Sequence, residues 1–139
     1  MSVVLLDTGP LVSYCRANEA AHEWAVRQLD SLKPPLLTCE PVITEAVHLL
    51  TAHGRRPELV WEFMRAGILK VAFCLETDFE AVATLLRRYA DLPMDLADAC
   101  LVRMSELHRD CRVLTTDADF RIYRRFGRQV IPLISPFNS

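Results

Sequence analysis

Two short apolar runs, each followed by a carboxylate, constrain the fold of this chain more than any other feature. Val3–Leu6 has no polar alternation and is followed at once by Asp7, and near the other end Val113–Thr116 is followed by Asp117. An uninterrupted apolar run such as Val3–Leu6 is typical of a strand buried on both faces of a parallel sheet. Two such strands would bring their carboxylates together at one sheet edge, where open α/β sheets bind ligands.

Strands and helices are predicted to alternate along the whole chain. The strands are predicted at Val3–Leu6, Leu36–Thr38, Ile68–Phe73, Arg112–Thr115 and Val130–Leu133. The helices are predicted at Leu11–Arg16, from Asn18 or Glu19 to Leu32, Pro41–His53, Pro57–Ala66, from Thr77 or Asp78 to Tyr89, Asp95–His108 and Asp119–Arg125. This alternation predicts a single α/β domain over residues 1–139, with a parallel central sheet covered by helices on both faces.

The composition narrows the class of protein. Hydrophobic residues make up 51% of the chain and charged residues 24%, which is typical of a soluble globular protein. No apolar run approaches the length of a membrane span, the first residues do not resemble a targeting segment, and the five cysteines have no C-x-x-C spacing. We therefore expect a cytoplasmic protein with reduced cysteines and no membrane association.

Three candidate carboxylates have an ordinary structural interpretation beside a functional one. Asp7 could cap a helix that starts at Pro10, because Asp accepts backbone N–H groups well. Asp98 lies three residues after Asp95, which is the spacing of a capping box, and Asp117 suits a turn. Position alone leaves each of the three open between capping and function.

Glu45 is more informative, because it lies on a predicted helix whose residues are mainly apolar. Between Pro41 and Leu50 the other polar positions are Thr44 and His48. Burying a charge costs free energy unless the charge is paired or bound to a metal. The alternative is that Glu45 lies on a narrow solvent-exposed stripe of the helix.

As a group, the carboxylates predict a metal site. Three or four of them at one edge would repel one another and need a cation, and all-oxygen ligand sets suit Mg²⁺ or Mn²⁺. One or two such ions can activate a water and stabilise charge on a phosphodiester. Thr8 and Thr116 flank the same edge and could hydrogen-bond a carboxylate or a water there. The four histidines lack zinc-site spacing, so no zinc set competes.

The order and separation of four motifs resemble those of PIN-domain proteins, most of all the VapC-type toxins of bacterial toxin–antitoxin pairs. The motifs are VVLLDTGPLV, VITEAVHLL, DLADACLV and LTTDADF. The resemblance implies a parallel α/β sheet and a Mg²⁺- or Mn²⁺-dependent ribonuclease that uses a metal-activated water. It implies catalytic, metal-holding acids at Asp7, Glu45, Asp98 and Asp117, with Asp119 as a possible fifth metal ligand. It also matches Thr116 to a hydroxyl position usual in the family.

The resemblance also implies binding partners. VapC-type toxins are held by a small antitoxin that blocks the site, and they commonly form homodimers. Four arginines beyond the last acid could hold RNA phosphates, although a solvated helix face is the alternative. They are Arg121, Arg124, Arg125 and Arg128. The alternative function is a non-cutting PIN module that binds RNA or a protein partner.

Overall fold

A five-stranded parallel sheet lies at the centre of the computed structural model, which describes residues 2–137. Its strands are β1 (Val3–Leu6), β2 (Leu36–Thr38), β3 (Leu69–Val71), β4 (Cys111–Leu114) and β7 (Leu133–Ile134), and a separate antiparallel hairpin contains β5 (Arg124–Arg125) and β6 (Gln129–Val130). The order across the sheet is β3-β2-β1-β4-β7. The two apolar runs singled out in the sequence are therefore adjacent central strands, with Leu6 beside Leu114.

Helices pack around this sheet. They are α1 (Thr8–Cys15), α2 (His22–Ser31), α3 (Glu40–Ala52), α4 (Glu58–Arg65), α5 (Leu75–Arg88) and α6 (Leu96–Leu107), with a 3₁₀ turn at Ala118–Arg121. In β1, Val4, Leu5 and Leu6 are all buried. Successive side chains of a strand point to opposite faces, so both faces of the sheet are covered. Within residues 2–137, the structure has no helix long and apolar enough to cross a membrane.

The α/β fold predicted from the sequence is confirmed, and β1 and β2 have the predicted bounds. The predicted last strand, Val130–Leu133, is wrong. Pro132 lies within it and has no backbone N–H for a strand ladder. Val130 instead belongs to the β5–β6 hairpin, and Leu133 begins the edge strand beside β4.

The predicted helix Asp119–Arg125 is wrong in its second half. The chain forms only the 3₁₀ turn at Ala118–Arg121 before it enters the hairpin. Phe126 and Gly127 have positive φ angles of 53° and 79°, so they make the turn between β5 and β6. The helix pattern was a poor guide here, because the three arginines and three apolar residues between positions 119 and 125 fit either structure.

The starts of three helices also differ from prediction. α1 begins at Thr8 because Asp7 is its N-cap. α2 begins later than predicted and α5 earlier, and the predicted caps Thr77 and Asp78 lie inside the first turn of α5. The earlier start of α1 matters for the site, because it places Asp7 directly between the end of β1 and the first turn of a helix.

Candidate active site

The carboxyl ends of β1 and β4 meet the start of α6 and one face of α3 at a pocket of about 210 Å³. Its lining residues are Asp7, Thr8, Gly9, Glu45, Leu49, Asp95, Asp98, Thr116 and Asp117. The structure thus brings together the four acids and both threonines that the sequence singled out. Asp119, the possible fifth acid, lies in the 3₁₀ turn and is absent from this lining.

Asp7 is held from both of its carboxylate oxygens. Oδ1 accepts the backbone N–H of Thr8 at 2.8 Å, and Oδ2 accepts the hydroxyl of Thr115 at 2.6 Å. Burial raises the pKa of Asp7 to about 6, with further increases from the charges of Asp117 and Glu45, against the lowering effect of the two hydrogen bonds. Asp7 is therefore both a helix cap and a carboxylate surrounded by other acids.

Asp98 combines the two interpretations in the same way. The predicted capping box is confirmed: Asp95 Oδ1 accepts the N–H of Asp98 at 2.8 Å, and Asp98 Oδ2 accepts the N–H of Asp95 at 3.4 Å. Oδ2 also accepts the hydroxyl of Tyr123 at 3.1 Å. Burial raises the pKa of Asp98 to about 8, helped by the charges of Asp95, Asp7 and Asp117. Capping and pocket lining do not exclude each other.

Glu45 and Asp117 complete the acidic wall. Glu45 is half-buried on α3, one turn before Leu49. It therefore lines the acid pocket and is only partly exposed to solvent, so it does not simply lie on a solvent-exposed stripe of the helix. Asp117 caps the 3₁₀ turn by accepting the N–H of Asp119 at 2.9 Å. Its own N–H donates to the Thr115 hydroxyl at 2.9 Å. The local chain direction at Asp117 is thus set by hydrogen bonds on both sides.

Gly9 permits a close approach between α1 and the end of β4. A Cβ built on Gly9 would overlap the hydroxyl oxygen of Thr116 and contact its Cβ at 3.4 Å. The approach to the hydroxyl oxygen is closer than real Cβ atoms make, so a side chain at position 9 would force the Thr116 hydroxyl to move. The tight fit explains why glycine follows the Asp7–Thr8 pair.

Two residues that contact the acids were missed by sequence reasoning. Thr115, rather than Thr116, supplies the hydroxyl that contacts Asp7. The register of β1 and β4 would have indicated it, because Leu6 pairs with Leu114 and the next residues on each strand are Asp7 and Thr115. Tyr123 gave no such signal. Burial and the neighbouring Asp98 raise the pKa of its phenol, which keeps it a donor.

The predicted RNA-contacting arginines have different surroundings. Arg125 is buried, and its Nη1 donates to the carbonyls of Ser105 and Arg109 at 2.9 Å each. Its guanidinium joins the hairpin to the end of α6 and faces the interior. We therefore do not retain Arg125 as an RNA contact.

The other three arginines lie nearer to solvent. Arg124 is half-buried, and its Nη1 donates to three backbone carbonyls between Arg121 and Tyr123. Arg121 is exposed beside the ring of Phe137, with 5.6 Å from guanidinium carbon to ring centroid, and Arg128 is exposed. Arg121 and Arg128 are the better candidates for contact with a charged ligand.

A wider groove of about 610 Å³ adjoins the acid pocket and shares Glu45 and Asp95 with it. Its other lining residues are Glu40, Pro41, Thr44, His48, Leu75, Leu96 and Ala97. The groove lies along α3 and the starts of α5 and α6.

The donors of the acid pocket fit a hard divalent cation. Its lining side chains supply carboxylate and hydroxyl oxygens, and no Lys, Arg or His is among these described residues. Mg²⁺ and Mn²⁺ prefer such ligands. As the side chains stand, no group of three or more His, Cys, Asp or Glu within residues 2–137 is close enough together to hold a metal ion. Waters between the ion and the carboxylates, or rotation of individual side chains, would complete the coordination.

This parallel sheet, with acids at the ends of its two central strands and on two neighbouring helices, defines a PIN domain. The chain belongs to this family, and residues 4–125 match the family model described as PIN domain. The chain is similar to Ribonuclease VapC26 of Mycobacterium tuberculosis (strain ATCC 25618 / H37Rv). The two are 28% identical over 116 residues, which cover 82% of this chain and 86% of that relative. The predicted resemblance to VapC-type PIN proteins is confirmed.

Proposed function

We propose that the protein is a metal-dependent endoribonuclease, a hydrolase that cleaves RNA phosphodiesters, and the toxin of a toxin–antitoxin pair. The observation that carries the proposal is the convergence of four carboxylates, from four different parts of the chain, on one pocket. The PIN family match and the similarity to a protein named Ribonuclease VapC26 support it.

Asp7, Glu45, Asp98 and Asp117 would hold Mg²⁺ or Mn²⁺, directly or through water. A bound cation would neutralise their charges, activate a water and stabilise charge on the phosphate. Asp7 is already oriented by two hydrogen bonds, so it needs little reorganisation to act. Asp119 would assist from the 3₁₀ turn, where its N–H is bound to Asp117.

Thr8 and Thr116 would support the carboxylates from within the pocket, since both line it. RNA would be held by Arg121 and Arg128, with Arg124 contributing from its half-buried position. Guanidinium groups suit this task because they bind phosphate oxygens through two N–H groups at once.

The proposal extends to partners through the family resemblance. A small antitoxin would bind the toxin and block the acid pocket, and the toxin would form a homodimer. The groove of about 610 Å³ beside the pocket offers a surface from which access to Glu45 and Asp95 could be blocked. Co-purification with the product of a small neighbouring gene would support the toxin assignment.

A cleavage assay with paired variants tests the nuclease. Total cellular RNA, fractionated into transfer, ribosomal and messenger RNA, is incubated with the protein in Mg²⁺ or Mn²⁺ and with EDTA. We expect discrete cuts by the wild type that disappear with EDTA and with Asp98→Asn. Asp91→Asn, which removes an exposed carboxylate outside the pocket lining, is the matched control and should cut normally. Cutting by Asp98→Asn at the wild-type rate would contradict the proposal.

A non-cutting PIN module that binds RNA or a partner is the second candidate. The observation that favours it is that the described carboxylates do not form a closed ligand group as they stand. Asp98→Asn separates the two candidates as well. RNA binding by both proteins, with no cutting by either in any RNA fraction, would favour the binding module.

A further inference from the structure

Tyr123 is a buried residue whose hydroxyl reaches the acid pocket from behind. The hydroxyl donates to Asp98 Oδ2 at 3.1 Å. Its ring makes edge-on contacts with Tyr89 and Phe120, at centroid distances of 5.1 and 5.2 Å, and the residue is fully buried. Packing of the ring therefore fixes the position of the hydroxyl, independently of the hydrogen bond that it makes.

The two oxygens of Asp98 are engaged unequally. Oδ2 accepts both the Tyr123 hydroxyl and the longer, 3.4 Å bond from the N–H of Asp95. Both of these hydrogen bonds reach Oδ2, so they hold the carboxylate from one side. A carboxylate that is held through one oxygen has its other oxygen in a defined direction. Asp98 is held in this way while it lines the acid pocket.

We propose that Tyr123 is a positioning residue of this site, whose hydroxyl orients Asp98 so that its carboxylate is ready to hold a divalent cation. The inference rests on the proposed function. It assigns a role to a residue outside the pocket lining and 25 positions from Asp98 in the sequence. Groups that orient metal ligands in this way typically contribute about 10- to 100-fold to metal affinity.

A purely structural role makes a different prediction. If the carboxylate only satisfies a buried phenol, removing the hydroxyl should change the stability of the metal-free protein and leave metal affinity as it was. If Tyr123 orients Asp98, the carboxylate gains rotational freedom when the hydroxyl is lost, and metal affinity falls. Metal affinity is therefore the decisive readout.

The test compares Tyr123→Phe with Tyr89→Phe in the full chain. Both variants lose one phenol hydroxyl and keep the ring contact between the two residues. The Tyr89 hydroxyl accepts the N–H of Arg124 at 2.9 Å instead of contacting an acid. Mn²⁺ binding is measured by electron paramagnetic resonance and by the Mn²⁺ dependence of thermal unfolding. Circular dichroism of the metal-free proteins shows whether each variant is folded.

We expect Tyr123→Phe to weaken Mn²⁺ binding by about tenfold or more, and Tyr89→Phe to leave it nearly unchanged. In an Asp98→Asn background, Tyr123→Phe should have no further effect on the residual Mn²⁺ affinity. Wild-type affinity in a folded Tyr123→Phe variant would overturn the inference while leaving the proposed nuclease intact. An equal additional loss in the Asp98→Asn background would also overturn it. Absence of Mn²⁺ binding by the wild type would overturn both proposals.

Discussion

Thr115 and Asp7 are joined across the two central strands. The Thr115 hydroxyl donates to Asp7 Oδ2 at 2.6 Å, between residues 108 positions apart. The pairing of Leu6 with Leu114 places them side by side. The same hydroxyl accepts the N–H of Asp117 at 2.9 Å. One side chain thus connects the first acid of the pocket to the last.

Thr115→Val should lower the free energy of unfolding by about 1–3 kcal/mol, because a buried carboxylate oxygen and a backbone N–H both lose their partner. The two side chains have nearly the same shape, so little packing is lost. Urea unfolding at pH 7.5 in EDTA measures the change without contributions from metal.

Thr38→Val is the matched control for this substitution. Thr38 is also buried, but its hydroxyl donates to a neutral acceptor, the carbonyl of Leu6, at 2.8 Å. Hydrogen bonds to charged groups contribute more than neutral ones. If Thr115→Val lowers the free energy of unfolding no more than Thr38→Val does, the hydrogen bond to Asp7 contributes no more stability than one to a neutral carbonyl.

The metal-free protein should become less stable as pH rises from about 4 to 8. Burial raises the pKa of Asp7 to about 6 and that of Asp98 to about 8, from an ordinary value of 3.8. Across this range the folded state holds more protons than the unfolded state. The stability that these two groups contribute is therefore greatest below pH 4, and it is lost as the pH rises through their pKa values in the folded protein. Both groups act in the same direction, so their losses add as pH rises.

Asp98→Asn provides the internal comparison for the pH profile. An amide oxygen can still accept from Tyr123 and Asp95, but the variant has no charge to bury. We expect a shallower decline between pH 6 and 8, and a metal-free variant at least as stable as the wild type at pH 8. Parallel profiles for the two proteins would show that Asp98 ionises in the folded state as it does in the unfolded chain.

Gly9→Ala should disturb the pocket from the α1 side. The added Cβ would overlap the Thr116 hydroxyl oxygen, and overpacking of this kind typically costs about 1–3 kcal/mol. In an unobstructed helix the same substitution stabilises by up to about 1 kcal/mol. Thermal unfolding in EDTA therefore gives the sign of the effect directly.

A second-site change separates the overlap from other causes. Thr116→Ala removes the oxygen that the new Cβ would meet and leaves a Cβ contact near 3.4 Å. In that background Gly9→Ala should be neutral or stabilising. If it remains equally destabilising there, the close approach of Gly9 to Thr116 is not the reason for the glycine.

The fold and the candidate acids could be predicted from the sequence because both depend on local patterns. Buried parallel strands read as apolar runs, and the carboxylates follow or flank such runs. Asp95 and Asp98 carried a recognisable three-residue spacing, and the structure contains the capping box that this spacing predicted. Each of these patterns lies within a few adjacent residues, so it can be recognised in a single sequence.

What the sequence did not reveal depends on contacts between distant segments. Tyr123 meets Asp98 only because the chain after the 3₁₀ turn folds back against α6. Arg125 belongs to an arginine-rich stretch that was expected to face solvent, yet backbone carbonyls of α6's final turns and the following loop bind its guanidinium. Composition cannot distinguish an exposed arginine from one that satisfies carbonyls inside the protein.

Mn²⁺ should raise the stability of the wild type, and more so at pH 8 than at pH 6. Metal and protons compete for the same carboxylates, and Asp7 and Asp98 retain protons to about pH 6 and 8 in the metal-free protein. At 100 times the dissociation constant, binding adds about 2.7 kcal/mol to the free energy of unfolding. Thermal unfolding with and without Mn²⁺ at the two pH values measures this increase, and Mg²⁺ should act in the same direction.

Asp98→Asn should lose most of the Mn²⁺ effect, whereas Asp91→Asn, an exposed acid outside the pocket lining, should keep it. This comparison is independent of which RNA the protein acts on, because the readout is the folded protein itself. If Mn²⁺ stabilises neither the wild type nor Asp91→Asn, and Asp98→Asn is simply less stable, Asp98 acts through its capping box alone. The carboxylates would then be structural, and the metal-dependent nuclease would lose its physical basis.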